Sequence, residues 1–287
     1  MCGIVGGVTE RNIVPILLEG LHRLEYRGYD SAGVAYRAEE NVSLVKSLGR
    51  VHDLEKKLDK KATSNIGIAH TRWATHGIPS EKNAHPHASN KNIYVAHNGI
   101  IENHEDLKSE LKSEGFKLYS QTDSEVIAHL IEFYKQRGLD FDSSVMKAIS
   151  RLKGAYALAV MDRNDPETLI GVRQSSPLVV GKGFAENFLA SDIMALSPVT
   201  NKFKFLDDGQ VVFLSKNKVS ICSKDGRAAK VPTKEVDSTA YTNDLHGYSH
   251  FMEKEIFEQP ESVQKALEGR VTKDGTREGI FGAGFEK

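Results

Sequence analysis

The chain opens Met1-Cys2-Gly3-Ile4-Val5-Gly6-Gly7. A cysteine in second position becomes the first residue once the initiator methionine is removed. That cleavage puts a free α-amine and a thiol on one carbon. An α-amine has a reference pKa of about 7.7–8.0, so it exchanges a proton near neutral pH. A terminal amine also serves as base to hydroxyl or thiol nucleophiles. Ile4-Val5 reads as a short buried strand, with Gly3, Gly6 and Gly7 allowing close approach of other backbone. A terminus that does chemistry has to be held by such a strand, because free termini fray. The alternative at this point is a small apolar residue at a disordered end.

With 287 residues the chain suffices for one large domain or two small ones. Apolar residues at 39% and charged residues at 27% fit a soluble globular protein. The 38 Lys and Arg against 39 acidic residues leave a net charge of -1, which gives no reason to expect nucleic acid or an anionic membrane as partner. No apolar run approaches the roughly 18–20 residues of a membrane span. The N-terminus lacks the basic and hydrophobic segments of a signal peptide. Cys2 and Cys222 can pair in principle, but a reduced, cytosolic state is expected.

Val14, Leu17, Leu18 and Leu21 mark a helical face within residues 12–25, with Pro15 in its first turn. Strands are expected at Gly33–Arg37, Val42–Val45, Ile66–Ala69 and Ile93–Ala96, and a short helix at Leu54 and Leu58. Further helices are marked by Leu107 and Leu111, by Val126 to Ile131, and by Val145–Leu152. After Gly154 the pattern changes to short strands: Ala155–Met161, Thr168–Val172, Leu178–Val180, Phe188–Ala190, Val211–Leu214 and Val219–Cys222, with Cys222 structural. Many strands with a few amphipathic helices predict two packed sheets flanked by helices. From Pro232 the chain turns polar, then shows helical pattern around Val263 and Leu267. The apolar, glycine-rich end Gly279–Phe285 is a weak phosphate signal and suggests a longer parent chain.

Polar residues cluster at three places. Arg27, in the turn Glu25–Gly33, needs a partner if buried; Asp30 or a ligand is expected, unless the two form a plain surface ion pair. His70-Thr71-Arg72-Trp73-Ala74-Thr75-His76-Gly77 places a guanidinium at the end of an apolar strand, where its planar fork can grip a carboxylate. Asn98-Gly99 is a hairpin signal. It also offers a side-chain amide and a bare N–H, the donors of an oxyanion hole worth about 2.7–4 kcal/mol each in comparable sites. Thr122-Asp123-Ser124-Glu125 has the form of a capping box. Asp123 then sits in a first helical turn, favourable to the dipole or available to an ammonium group. His70, His76, His85, His87 and His97 lack the i,i+4 pair with carboxylate, and no cysteine cluster joins them, so no metal is expected. Pro86 is read as fixing a turn.

Together, Cys2–Gly6, Glu25–Gly33, His70–Gly77 and His97-Asn98-Gly99 resemble the glutaminase half of the glucosamine-6-phosphate synthases, the glutamine–fructose-6-phosphate amidotransferases. The resemblance runs from Cys2 to about Arg270 and includes Asn83-Ala84-His85-Pro86-His87 and Gln259-Pro260. It implies an α+β fold, the N-terminal-nucleophile four-layer αββα sandwich with two mainly antiparallel sheets. It also implies a class II glutaminase domain over residues 2–230, with 231–287 leading toward a sugar-isomerase half that this sequence does not contain. By the same resemblance Cys2 is the nucleophile, Arg27 supports its surroundings, and Asn98 and Gly99 hold the oxyanion. Arg72, helped by Thr75 and His76, would bind the glutamine carboxylate and Asp123 the α-ammonium, while Trp73 and the following loop form a lid. The expected reaction needs no cofactor or metal and converts glutamine to glutamate and ammonia through a thioester. Fructose 6-phosphate would be met only in the full-length enzyme, a cytoplasmic homodimer or larger. The rivals are the glutaminase domain of a phosphoribosyl amidotransferase or asparagine synthetase, and a silent glutamine-sensing module.

Overall fold

The first strand, β1 (Gly3–Thr9), is buried along its whole length. Its side chains alternate between two apolar surroundings, as strand geometry requires. Ile4 and Val8 meet residues of a second sheet, while Val5 packs among helical side chains. The computed structural model describes residues 2–74, 76–237, 247–249, 251–272 and 275–276. The chain divides into two units, Met1–Tyr241 and Thr242–Lys287.

In the first unit β1 is followed by α1 (Val14–Arg23), β2 (Ser31–Ala38), β3 (Asn41–Leu48), α2 (Val51–Lys57), β4 (Ile66–Arg72), β5 (His87–Ser89) and β6 (Ile93–Ile101). Three helices come next: α3 (His104–Ser113), α4 (Glu125–Gln136) and α5 (Phe141–Ile149). The remaining strands are β7 (Gly154–Asp162), β8 (Asp165–Gln174), β9 (Val179–Lys182), β10 (Glu186–Ala190), β11 (Lys202–Phe205), β12 (Gln210–Leu214), β13 (Val219–Ser223) and β14 (Lys234–Glu235). One sheet runs β14-β11-β9-β10-β1-β4-β2-β3 and the other β13-β12-β8-β7-β6-β5, so β1 is interior to its sheet. All the pairings between these named strands are antiparallel.

Three apolar clusters build four layers. Val5, Val34 and Ala69 pack with Leu17 and Leu21 of α1. Ile4, Val8, Ile66 and Ile68 meet Ala96, Ala157, Leu169 and Val212 between the sheets. Val95, Leu158 and Val160 pack with Val126, Leu130 and Ile131 of α4 on the far side. Each fully buried Val, Leu or Ile among them contributes about 1.5–3 kcal/mol relative to exposure. This is the αββα sandwich, with Cys2 entering its central layers.

Two local expectations are corrected. Asn98-Gly99 does not turn a hairpin: β6 continues through both, pairing Asn98 with Ala157 and Gly99 with Tyr156. The glycine's φ of 121° is accommodated inside the strand. The capping box does not form either. Helix α4 starts at Glu125 behind Ser124, which makes no side-chain cap. The Glu125 carboxylate instead accepts from the backbone N–H groups of Tyr119 at 3.0 Å and Ser120 at 2.7 Å, so Asp123 lies outside the helix. Strands β11, the short β5 and the two-residue β14 have no counterpart among the expected strands.

The second unit contains α6 (Phe251–Leu267), which carries Pro260 in its interior, and a small pair, β15 (Val271–Thr272) with β16 (Gly275–Thr276). The tail Gly279–Phe285 lies outside the described residues. Among the described residues no helix is long and apolar enough to cross a membrane.

Candidate active site

The register of β1 against β4 pairs Gly3 with Thr71. Cys2 therefore comes to the end of β4, where Arg72 and Trp73 stand. The Trp73 N–H donates to Cys2 Sγ at 3.2 Å, and the thiol donates to the Trp73 carbonyl at 3.5 Å. From the other sheet, Asn98 Nδ2 donates to the Cys2 carbonyl at 3.2 Å. The two sheets thus meet at this residue, beside a cavity of about 460 Å³. Its lining includes Cys2, Arg27, Arg72, Trp73, His76, Asn98, Gly99 and Asp123, together with Ser176 and Pro177. Burial pushes the Cys2 thiol up, against the opposing effects of the Trp73 N–H and the Arg72 charge. A protonated thiol at neutral pH needs a base before it can attack.

Arg27 ends a one-turn 3-10 helix, Glu25–Arg27. Its Nη2 donates to Asp192 Oδ2 at 2.6 Å, and Nε donates to the Tyr26 hydroxyl at 3.1 Å. Tyr26 in turn donates to the same Asp192 oxygen at 2.9 Å. Burial opposes the guanidinium's charge, but Tyr26 and Asp192 outweigh it and raise the pKa above its ordinary value. Arg27 Nη1 also donates to the Cys2 carbonyl at 3.4 Å. The expected partner Asp30 is therefore wrong. Asp30 instead accepts from the Ala74 N–H at 2.6 Å and lies 3.7 Å from Arg72 Nη1, because it leads into β2 beside the end of β4. A partner 165 positions away leaves no local signal in the sequence.

Arg72 is buried. Its Nη2 donates to the carbonyls of His76 and Gly77, fixing the loop that follows β4. Its Nη1 makes no hydrogen bond. The Asp30 carboxylate, 3.7 Å away, balances its charge but is too far to accept a hydrogen bond, so this buried donor keeps its hydrogen-bonding capacity for a ligand carboxylate. Asp123, also buried, accepts from the Ile101 N–H at 2.8 Å and from Ser124 Oγ at 3.2 Å. A carboxylate has about four acceptor positions, which leaves capacity for a cation. His76 sets its ring edge-on to His104 at 5.6 Å. Trp73 is half exposed and covers Gly28, where a Cβ would meet its ring at 2.8 Å. Thr75 lies outside the described residues.

Behind this wall stand polar residues to which the sequence assigns no role in the site. His70 Nε2 lies 2.9 Å from Asn98 Oδ1, and His97 Nδ1 lies 2.7 Å from Ser124 Oγ. Burial lowers His70 to about 3 and His97 to about 4, so both are neutral at pH 7. His70 and His85 stack at 4.3 Å. Among the described residues no group of three His, Cys, Asp or Glu side chains is arranged to hold a metal ion. Both cysteines are free.

The profile of the glutamine amidotransferase domain matches residues 70–198. Glutamine–fructose-6-phosphate aminotransferase (isomerizing) of Pseudomonas putida is 48% identical over 284 residues, covering 98% of this chain and 46% of that protein. The enzyme of the same name from Yersinia pseudotuberculosis is 50% identical over 274 residues, covering 95% and 45%. The chain thus spans a little under half the length of these relatives. Among solved structures, the glutamine phosphoribosylpyrophosphate amidotransferase of Bacillus subtilis superposes with a TM-score of 0.67 at 25% identity, over 78% of this chain and 49% of that one. Fold, profile and relatives agree: this chain belongs to the class II glutamine amidotransferases, the N-terminal-nucleophile glutaminase domains.

Proposed function

We propose that residues 2–230 hydrolyse glutamine to glutamate and ammonia, with Cys2 as nucleophile. The observation that carries this reading is a single cavity bordered by the Cys2 thiol, the Asn98 amide, the Arg72 guanidinium and the Asp123 carboxylate. Arg72 Nη1 takes the substrate carboxylate and Asp123 its α-ammonium, which turns the side-chain amide toward Cys2. After removal of Met1, the α-amine accepts the thiol proton as sulfur bonds to the amide carbon. The carbonyl electrons move to oxygen, and Asn98 Nδ2 with the Gly99 N–H stabilises that oxyanion. Collapse expels ammonia, which takes the proton held by the amine. Water then adds to the thioester and releases glutamate and the thiol. Arg27 holds the Cys2 carbonyl, Thr75 and His76 help at the carboxylate, and Trp73 covers the site.

In a longer enzyme like the relatives, ammonia passes to fructose 6-phosphate to give glucosamine 6-phosphate. Residues 231–287 then form the lead into the sugar-handling part. Such an enzyme works as a homodimer or larger, without nucleic acid, in the cytoplasm, where a reducing environment suits a nucleophile that must stay a free thiol.

The test is glutamate release by purified protein whose mass shows loss of Met1. Cys2→Ala is expected to abolish turnover, and protein retaining Met1 to lose nearly all of it, because an amide nitrogen is not a base. Labelling with a glutamine-like electrophile should add one adduct, on Cys2. Turnover by Cys2→Ala at the parental rate would defeat the reading.

A further inference from the structure

His70 stands in β4 and Asn98 in β6, on strands of opposite sheets. His70 Nε2 lies 3.0 Å from the His97 carbonyl oxygen and 2.9 Å from the Asn98 side chain. A backbone carbonyl can only accept, so Nε2 carries a hydrogen. A ring nitrogen that donates cannot accept as well, so the Asn98 atom facing it has to be the amide oxygen. The NH2 group then faces the opposite way, toward Cys2, where Nδ2 lies 3.2 Å from the Cys2 carbonyl.

The two ends of an asparagine amide are nearly the same size, and only hydrogen bonding distinguishes them. Rotated by half a turn, Asn98 would present lone pairs to the Cys2 carbonyl and to any developing oxyanion, turning attraction into repulsion. The other ring nitrogen of His70, Nδ1, is buried and has no hydrogen-bond partner. The ring is stacked on His85, with Arg72 and His97 also close enough to disfavour a second proton. A single hydrogen is therefore held on Nε2, where the His97 carbonyl requires it.

From this geometry we infer that His70 is a positioning residue for glutamine hydrolysis: its Nε2–H fixes the Asn98 amide with the donor end toward the reacting carbonyl. The inference rests on the glutaminase reading above. His70 is not among the residues that border the cavity, so its effect on the reaction passes through Asn98.

The test is a double-mutant cycle on glutamate release with the full chain, using His70→Phe, Asn98→Ala and the pair. His70→Phe should lower kcat with KM less affected. The loss is bounded by that of the Asn98 donor, roughly 10²–10³-fold in comparable sites. In the Asn98→Ala background His70→Phe should change kcat little, since the group it orients is gone. Alkylation of Cys2 by iodoacetamide develops no oxyanion, so its rate should match the parental rate in His70→Phe. Losses that multiply in the double variant, or alkylation that falls in step with kcat, would overturn the inference. Should His70→Phe not fold, His70→Gln retains a donor within reach. A kcat near parental in that variant supports the inference, and a large loss that multiplies with Asn98→Ala overturns it. Retained turnover by Cys2→Ala would instead defeat the glutaminase reading, so the two failures are distinguishable.

Discussion

At the scale of single residues, Gly99 is the least replaceable position of the site. Its φ of 121° lies where side chains are rarely accommodated, and a Cβ would stand 2.0 Å from the Ala155 carbonyl oxygen. No rotamer relieves a clash with backbone. Gly99→Ala must therefore shift β6 away from β7 and carry the Asn98 amide with it. We expect at least a 10²-fold loss of kcat, about that of losing one oxyanion donor, with a lowered melting temperature. Glutamate-release kinetics and thermal unfolding check this, and unchanged values in both would refute it. The sequence offers two readings of this dipeptide: the turn does not form, because β6 runs on through both residues, and the oxyanion role is the one proposed above. Asn-Gly tolerates positive φ wherever it occurs, so the residue pair cannot by itself distinguish a turn from a strand with one unusual residue. Arg27 is a parallel case. Its need for an acceptor was legible from its polarity, whereas the acceptor's identity depends on how β10 and β1 come together.

At the scale of elements, the segment after β10 secures the start of β1. Ser191 N donates to the Ile4 carbonyl at 3.0 Å, and the Ile4 N–H donates to Ser191 Oγ at 3.0 Å. Asp192 then holds Arg27 and Tyr26, and Arg27 reaches the Cys2 carbonyl. One carboxylate thus ties a helical turn, a strand end and Cys2 together. Asp192→Ala leaves a largely buried guanidinium without its charged partner. About 1–3 kcal/mol of stability should be lost, along with activity, because the Cys2 backbone loses its support. Urea unfolding and glutamate release measure the two effects, and a variant with parental stability would show the tie to be idle. The strands and helices themselves were largely readable, because fully buried strands appear as short apolar runs such as Ile66–Ala69. Lys202-Phe203-Lys204-Phe205 escaped notice although it alternates as a half-buried strand should: Phe203 is buried while Lys202 is exposed. The start of α4 was misread because Glu125 turns its carboxylate back to the loop at Tyr119 and Ser120, a competition that the four-residue motif does not encode.

At the scale of the whole molecule, stacking the four layers buries histidines both between the sheets and beneath the helices, away from the solvent that would share their charge. His70, His85, His87 and His97 are all buried. Burial holds His70 down to about 3 and His97 to about 4, and lowers His85 and His87 well below the usual histidine range. In the unfolded chain each returns to about 6.5. Between pH 6.5 and about 4 the unfolded chain therefore binds more protons than the folded one, so stability rises with pH across that window and falls on acidification. In the middle of the window His70 and His97 alone leave a difference of about two bound protons between the unfolded and folded chain, which makes the slope steep. Carboxylates act in a different range. Burial works against ionisation of Glu125, yet the nearby His129 ring and the Tyr119 and Ser120 N–H groups hold it at about 2, so its contribution is lost only below its unfolded value of about 4.3. Loss of stability between pH 6.5 and 5 is thus the histidines' signature. Urea midpoints should fall steeply across that interval, and His97→Gln should make the fall shallower by about one proton. A flat midpoint from pH 6.5 to 5 would mean that these rings are already protonated in the fold, and Nε2 of His70 would then no longer be the only place for its hydrogen.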